Sequence, residues 1–189
     1  MAYPDIEYMF YRRLRTLADE FLLPPGKFES MWDAISAPYM SDWNDDRRIW
    51  GGYRPSEARD ALLRGLADRY AVIANNTGPG KRVPASQSVN PVVEIEGIQY
   101  QEGPTTAEFV ELVNPSSTES VDISGWTIEG VELTIQPGTV LLPGAHVVFV
   151  ADDVAFRQAY PGDNRLVGGE YPGTLGGDPV VIRLLDGAR

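Results

Sequence analysis

Apolar residues recur at helical spacing in the first part of the chain. The residues that repeat every three or four positions are Ile6, Met9, Phe10, Leu14, Leu17 and Phe21. At about 100° per residue they form one stripe on a helix. Pro24-Pro25-Gly26 ends this helix, because proline lacks the amide hydrogen and clashes with the preceding turn. Residues 28–35 predict a second short helix, and Pro55 begins a third that runs to Ile73.

The second part of the chain has the pattern of strands. Its apolar residues are β-branched or alternate with polar ones, in runs that are bounded by turn residues. The predicted strands are residues 92–100, 108–113, 121–128, 131–135, 146–151 and 180–185. Ser124-Gly125 permits a bend before Trp126, which we expect to anchor the core. The pattern predicts segregated α+β architecture, with a small helical region before an antiparallel β-sandwich.

Composition predicts a linker between these parts. Residues 77–90 are rich in Gly, Pro, Ser and Asn and lack apolar periodicity. We therefore expect a helical region over residues 1–76 and a sandwich over residues 91–189. The first 76 residues hold ten basic and twelve acidic side chains, and the rest of the chain holds six basic and fifteen acidic ones. Most of the acidity thus lies outside the helical region.

Composition also excludes several function classes. The net charge of −11 argues against nucleic-acid binding, because phosphates need a basic footprint. With no cysteine, disulfides, cysteine–zinc sites and cysteine catalysis are excluded. A single histidine excludes HExxH sites and histidine-rich metal centres. No apolar run reaches the ~18 residues of a membrane span, and we recognise no signal peptide in the first residues.

Three motifs suggest chemistry, and each has a simpler interpretation. Arg12-Arg13-x-Arg15 is a candidate phosphate-binding patch, but a helical charge run is usually a solvated face. Residues 75–82 lack the first glycine and the hydroxyl of a phosphate loop. His146 has no Ser or Cys partner at a recognisable spacing, so we expect it to face outward from its strand. We therefore predict no catalytic and no cofactor-binding residue.

Two acidic clusters offer the oxygen ligands that Ca²⁺ and Mg²⁺ prefer. Residues 42–46 lack the glycine and glutamate of an EF-hand loop, and a helix N-terminus is the simpler interpretation. The candidate metal ligands are Asp152 and Asp153, with Asp163 about ten residues later. Chance pairs in acidic surface turns are the competing interpretation. Calcium is the one cofactor that the sequence suggests.

Four segments in order resemble the lamin tail domain. They are residues 108–116, 121–128, 137–150 and 173–187. The resemblance covers about residues 91–189 and implies an immunoglobulin-like β-sandwich. The opening strand keeps only the glutamate, Glu94, of the family's usual Asn-Glu pair. Members usually continue beyond Asp186-Gly187 into a further strand, so we expect a domain that is truncated at its C-terminus.

The helical region resembles the C-terminal helical end of the spore-coat CotH kinase family. The matching segments are Tyr11 to Leu22, Ser41-Asp42-Trp43, Trp50-Gly51 and Ala61 to Tyr70. This resemblance implies a parent protein with phosphotransferase activity, whose nucleotide-binding and catalytic segments would lie upstream. None of its catalytic residues can be carried over to this chain.

Together these features predict a non-catalytic binding or scaffolding module of a bacterial cell-surface or secreted multidomain protein. The sandwich would contact a protein or a surface polymer, and neither nucleic acid nor a membrane span is expected. An extracellular or cell-surface location rests on the resemblance. Two alternatives stay open: a C-terminal fragment of a CotH-like kinase, and a calcium-dependent adhesion module.

Overall fold

Helices form the first part of the computed structural model, which describes residues 4–78, 80–100, 107–172, 175 and 181–187. The helices are α1 (Pro4–Phe21), α2 (Lys27–Ser36), α3 (Met40–Trp50) and α4 (Pro55–Ala74), with a 3-10 turn over Ala37–Tyr39. The three predicted helices are confirmed as α1, α2 and α4. The extent of helix α3 was not predicted, because it buries no residue and has no apolar stripe to recognise; only its acidic residues 42–46 suggested a helix N-terminus.

The buried residues of α1 lie outside the predicted apolar stripe; they are Arg12, Arg15, Thr16 and Ala18. Ile6 and Phe10 are exposed, whereas Arg12 and Arg15 are only 5% and 6% exposed. The guanidinium of Arg15 donates to the Tyr70 hydroxyl at 3.0 Å and to the Ser86 hydroxyl at 2.6 Å. The prediction that Arg12-Arg13-x-Arg15 is a solvated face is therefore wrong. Burial of a charge is tolerated when hydrogen-bond partners surround it, as they do at Arg15.

Short strands and one helix form the second part. The strands are β1 (Glu94–Gln99), β2 (Phe109–Val113), β3 (Val121–Asp122), β4 (Thr127–Glu129), β5 (Leu133–Thr134), β6 (Val140–Leu141), β7 (His146–Val150), β8 (Leu166–Glu170) and β9 (Arg183–Leu185), and helix α5 (Asp153–Ala159) lies between β7 and β8. The segregated α+β class is confirmed. Strands β6 and β8 and helix α5 were not predicted.

The strands form three small sheets that share a main apolar core. Their orders are β1-β2-β7-β8, β3-β6 and β5-β4-β9. All pairs are antiparallel except β7 with β8, which is parallel. The main core cluster takes buried side chains from all three sheets, including Leu112 of β2, Leu141 of β6 and Ile128 of β4. This shared core makes the sheets one β-sandwich module.

A tight turn divides the segment predicted as one strand over residues 121–128. Gly125 has φ +77°, a left-handed conformation that glycine adopts without strain. The turn is closed by a hydrogen bond from the Trp126 amide to the Ile123 carbonyl at 3.1 Å. Ile135 holds the far side of the turn: its carbonyl accepts from the Gly125 amide at 2.9 Å and its amide donates to the Trp126 carbonyl at 2.8 Å. Trp126 then enters the core and is only 4% exposed, which confirms its predicted role.

Both faces of β2 are buried, as its apolar residues predicted. Val110 and Leu112 belong to the main core. On the other face, Phe109 packs edge-on against Phe156 of α5, with ring centroids 5.5 Å apart. Asp152 caps α5 by accepting a hydrogen bond from the Ala155 amide at 2.8 Å. Helix α5 therefore covers this face of β2 and buries Phe109.

The chain forms two compact units. One contains residues 1–13 with 87–189, and the other contains residues 14–86. The first unit holds six basic and seventeen acidic residues, whereas the second holds ten of each. The whole net charge of −11 therefore belongs to the unit with the sandwich. The predicted linker at residues 77–90 stays a prediction. Among the helices that the structure describes, none combines the length and apolar character needed to span a bilayer.

Candidate functional site

A buried asparagine organises the loops at the end of β2. Asn114 is fully buried, and its Nδ2 donates to the carbonyl oxygens of Glu119, Leu142 and Leu141 at 2.7, 3.0 and 3.2 Å. Its Oδ1 accepts from the Ser116 amide at 3.1 Å. One side chain thus satisfies four backbone groups. These bonds tie the loop over residues 114–120 to the end of β6.

Asp122 forms a second polar cluster, in β3. Its carboxylate is 1% exposed and accepts from the Arg13 guanidinium at 3.1 Å, from the Ser124 amide at 3.0 Å and from the Ser124 hydroxyl at 2.5 Å. The side chain of Gln87 pairs with the backbone of Asp122: Oε1 accepts from the amide at 2.8 Å and Nε2 donates to the carbonyl at 3.2 Å. Gln87 therefore bonds to β3 as a neighbouring strand would.

A charged network covers the outer face of β2. The Glu111 carboxylate contacts Nδ1 of His146 at 3.0 Å and the Arg165 guanidinium at 2.6 Å. Arg165 also donates to both carboxylate oxygens of Asp163, to Oδ1 at 3.1 Å and to Oδ2 at 2.5 Å, and its guanidinium lies 4.6 Å from the ring centre of Phe109. The hydrogen bonds from Arg165 lower the pKa of the Asp163 carboxyl below its ordinary value. His146 is exposed on its strand, as predicted.

The three candidate metal ligands bind protein donors. Asp152 caps α5, and Asp153 pairs with Arg157 at 3.2 Å. Arg157 also donates to the carbonyl oxygen of Asp163 at 3.2 Å, while Arg165 engages the Asp163 carboxylate. Across the described residues, no group of three or more His, Asp or Glu side chains is arranged to hold a metal ion. Calcium binding at these positions stays a prediction.

Two ionisable side chains, Glu108 just before β2 and Tyr171 just after β8, are buried. Glu108 is 1% exposed and accepts a hydrogen bond from the Leu175 amide at 2.6 Å. Tyr171 is also buried, and its pKa is raised well above the ordinary value by burial and by the charge of Glu108. Glu108 therefore fastens the segment that contains Leu175 to the start of β2.

The other acidic cluster begins a helix, as predicted. Asp42 lies in the first turn of α3, where a negative charge is favourable. Asp45 pairs with Arg48 one turn later at 3.4 Å, and Asn44 donates to the Met40 carbonyl at 2.8 Å. These contacts are those of an exposed helix face.

A family model describes most of the sandwich unit. The model of the Lamin Tail Domain matches residues 86–188. This chain belongs to the lamin tail domain family. The match begins at the segment that contains Gln87, slightly before the predicted start at residue 91, and it does not extend over the helical region. No curated protein and no solved structure matched the chain.

The family assignment agrees with the geometry of the site. A lamin tail domain is a non-catalytic β-sandwich module of immunoglobulin type, which is compatible with a binding role. The polar clusters of the lamin tail domain bond other parts of the same chain. Each ionisable side chain of the Asp122 and Glu111 clusters contacts a protein group.

Sequence reasoning missed several residues that organise the lamin tail domain. For Asp122 and Ser124 a signal exists, since an aspartate that bonds the amide two residues later is a known turn motif. The buried role of Asn114 could be suspected from the asparagine–proline pair that ends its strand. Gln87 has no local signal, because its partner Asp122 lies 35 residues away in the chain. Arg165 has a local partner in Asp163, but its contact with Glu111 spans 54 residues and could not be predicted.

Proposed function

We propose that this chain is a non-catalytic binding module of a bacterial cell-surface or secreted multidomain protein. The lamin tail domain would contact a surface polymer or a protein. The observation that carries this proposal is the use of the buried carboxylates. Glu108 and Asp122 bind backbone amides, and Asp122 also binds Arg13. Groups that could otherwise perform acid–base chemistry hold the sandwich together, which leaves its loops and edges for contacts.

The negative charge of the unit that contains the lamin tail domain limits the kinds of partner that it can bind. The unit that contains the lamin tail domain carries the whole net charge of −11. Such a unit repels anionic polymers and favours neutral polymers or basic protein surfaces. The bacterial origin and the location at the cell surface rest on the resemblance of the sequence.

Binding of the labelled full chain to bacterial cells and to purified cell walls tests the proposal. We expect saturable binding that weakens when Trp126→Ala unfolds the sandwich, whereas Trp50→Ala should bind like the original chain. Trp50 is 83% exposed in the helical region, so this variant is a matched control. Absence of saturable binding, or equal binding by the Trp126→Ala variant, would contradict a role for the lamin tail domain.

The kinase alternative has support from the helical region. Besides the resemblance to CotH kinases, large apolar side chains of this region are exposed, among them Trp50, Tyr53, Val72 and Ile35. Such side chains suit a helical unit that packs against a further segment of a parent protein. Measuring ATP consumption by the chain with Mg²⁺ and with Mn²⁺ distinguishes a kinase fragment from a non-catalytic binding module. Turnover that is lost after Asp42, Asp45 and Asp46 are changed to asparagine would establish an enzyme in this chain.

The calcium-dependent adhesion alternative depends on acidity alone. Asp152, Asp153 and Asp163 would be its ligands, and each now binds a protein donor. A calcium titration followed by the melting temperature tests it: a calcium-dependent rise that Asp163→Asn removes would support this alternative.

A further inference from the structure

A polar cavity of about 220 Å³ lies in the unit that contains the lamin tail domain. Its walls come from three segments: Arg12 of α1, residues within 87–92 before β1, and residues within 116–121 that lead into β3. Most of the lining side chains are polar, while Pro91, Val92 and Val121 provide an apolar surface. The cavity is separate from the Glu111 network and from Asp152 and Asp153.

The walls of this cavity are held in place before any ligand binds. The Gln87 amide is bonded to both backbone groups of Asp122. The Ser116 hydroxyl accepts from the amides of Thr118 and Glu119 at 3.3 and 2.9 Å. Asn114 holds the Glu119 carbonyl from within the core. A ligand that enters therefore orders little of the protein, which favours binding.

Three side chains of the lining keep their hydrogen-bonding capacity. Within the described residues, no protein group bonds the side chains of Asn90, Glu119 or Ser120. An amide donates and accepts, a hydroxyl does both, and a carboxylate accepts. The guanidinium of Arg12, whose residue is 5% exposed, contributes positive charge to the same lining. The cavity thus offers donors and acceptors together, with charges of both signs.

We propose that this cavity binds one neutral sugar residue of a polysaccharide. Sugar hydroxyls donate and accept, so they can pair with the Glu119 carboxylate and with the Asn90 amide at once. Glu119 disfavours an anionic ligand and Arg12 disfavours a cationic one. The apolar C–H face of a sugar ring suits Val92 and Val121. A volume of about 220 Å³ lies below the roughly 300–1,000 Å³ of sites for drug-sized molecules, so a single ring is the fitting size.

This inference rests on the proposed binding function and names the chemistry of the polymer. Its test is an amide NMR titration of the full chain with maltotriose, cellotriose and triacetylchitotriose, and with trigalacturonic acid and trilysine as charged comparators. We expect at least one neutral trisaccharide to shift signals of residues 87–92 and 116–121. Asn90→Ala and Ser120→Ala should each weaken that binding about fivefold, since each removes one hydrogen bond.

Asn164→Ala is the matched control, because Asn164 is exposed and lies outside the cavity. It should bind the trisaccharide like the original chain, and unchanged thermal melts will show that all three variants fold. The inference is overturned if none of the neutral trisaccharides binds, if only a charged comparator binds, or if Asn90→Ala and Ser120→Ala bind with full affinity. If those two variants also bind cell walls normally, the cavity assignment fails while the proposed binding function stands.

Discussion

Replacing Trp126 with alanine is expected to unfold the lamin tail domain. Trp126 is 4% exposed and belongs to the core cluster that also contains Ile128 and Leu141. Its backbone is fixed on both sides, since its amide donates to the Ile123 carbonyl at 3.1 Å and its carbonyl accepts from Ile135 at 2.8 Å. The surrounding structure therefore has little freedom to collapse into the space that the indole leaves.

The size of the effect follows from the area that the indole buries. An aromatic side chain buries roughly 150–250 Å², and at about 25 cal/mol per Å² this corresponds to roughly 4–6 kcal/mol. Measured losses for Trp→Ala in cores are about 3–5 kcal/mol. A natural domain has a free energy of unfolding of about 5–15 kcal/mol, so one substitution removes much of the total.

Urea unfolding followed by the amide NMR signals of β2 and β7 measures this loss directly. We expect the Trp126→Ala midpoint to fall sharply, or the dispersed strand signals to be missing before urea is added. Trp50→Ala makes the same chemical change at a position that is 83% exposed, and it should change the stability of these strands by less than about 0.5 kcal/mol. An unchanged midpoint for Trp126→Ala, with lost partner binding, would instead make Trp126 a contact residue and refute the core assignment.

Further substitutions test other parts of the packing. Gly168→Ala should destabilise the sandwich by about 1–3 kcal/mol in urea, because its added Cβ would lie 2.7 Å from side chains of β7, while Gly65→Ala in α4, with open space around it, should be neutral or stabilising. Asn114→Ala should cost more than about 2 kcal/mol in the same assay, since it leaves buried carbonyl groups without a donor; a smaller loss would mean that water replaces the amide. In acid titrations, the stabilisation from ionised Asp163 should be complete above its ordinary pKa of 3.8 and be lost as the pH falls through its lowered folded-state pKa. Asp163→Asn, which cannot ionise beside Arg165, should therefore differ most from the original chain at neutral pH and converge with it in acid.

The local pattern of the sequence determined the centre of the sandwich. Apolar residues on both faces of β2 required cover on both sides, and the structure provides it. The glycine before Trp126 allowed the turn that brings the indole inward. These features were predictable because alternation and turn chemistry act over a few neighbouring residues.

Elements with weak local signals depended on the tertiary structure. Helix α5 is seven residues long, too short for apolar periodicity to reveal it, although Asp152 is a good N-cap. Strand β8 contains Gly168 and Gly169, which oppose strand formation by themselves. It forms because it pairs with β7 in parallel, and Gly168 fits there because the ring of Phe149 leaves no room for a side chain.

The sequence by itself determined that helices α1, α2 and α4 precede a region of short strands, and that Trp126 lies in a core. Only the tertiary structure decided that Arg15 is buried and that Arg13 pairs with Asp122, 109 residues away. Only the tertiary structure, too, brings residues 87–92 and residues 116–121 together to line one cavity. Periodicity records which face a residue occupies on its own element. Whether a charge on that face can be buried depends on partners that distant segments bring to it.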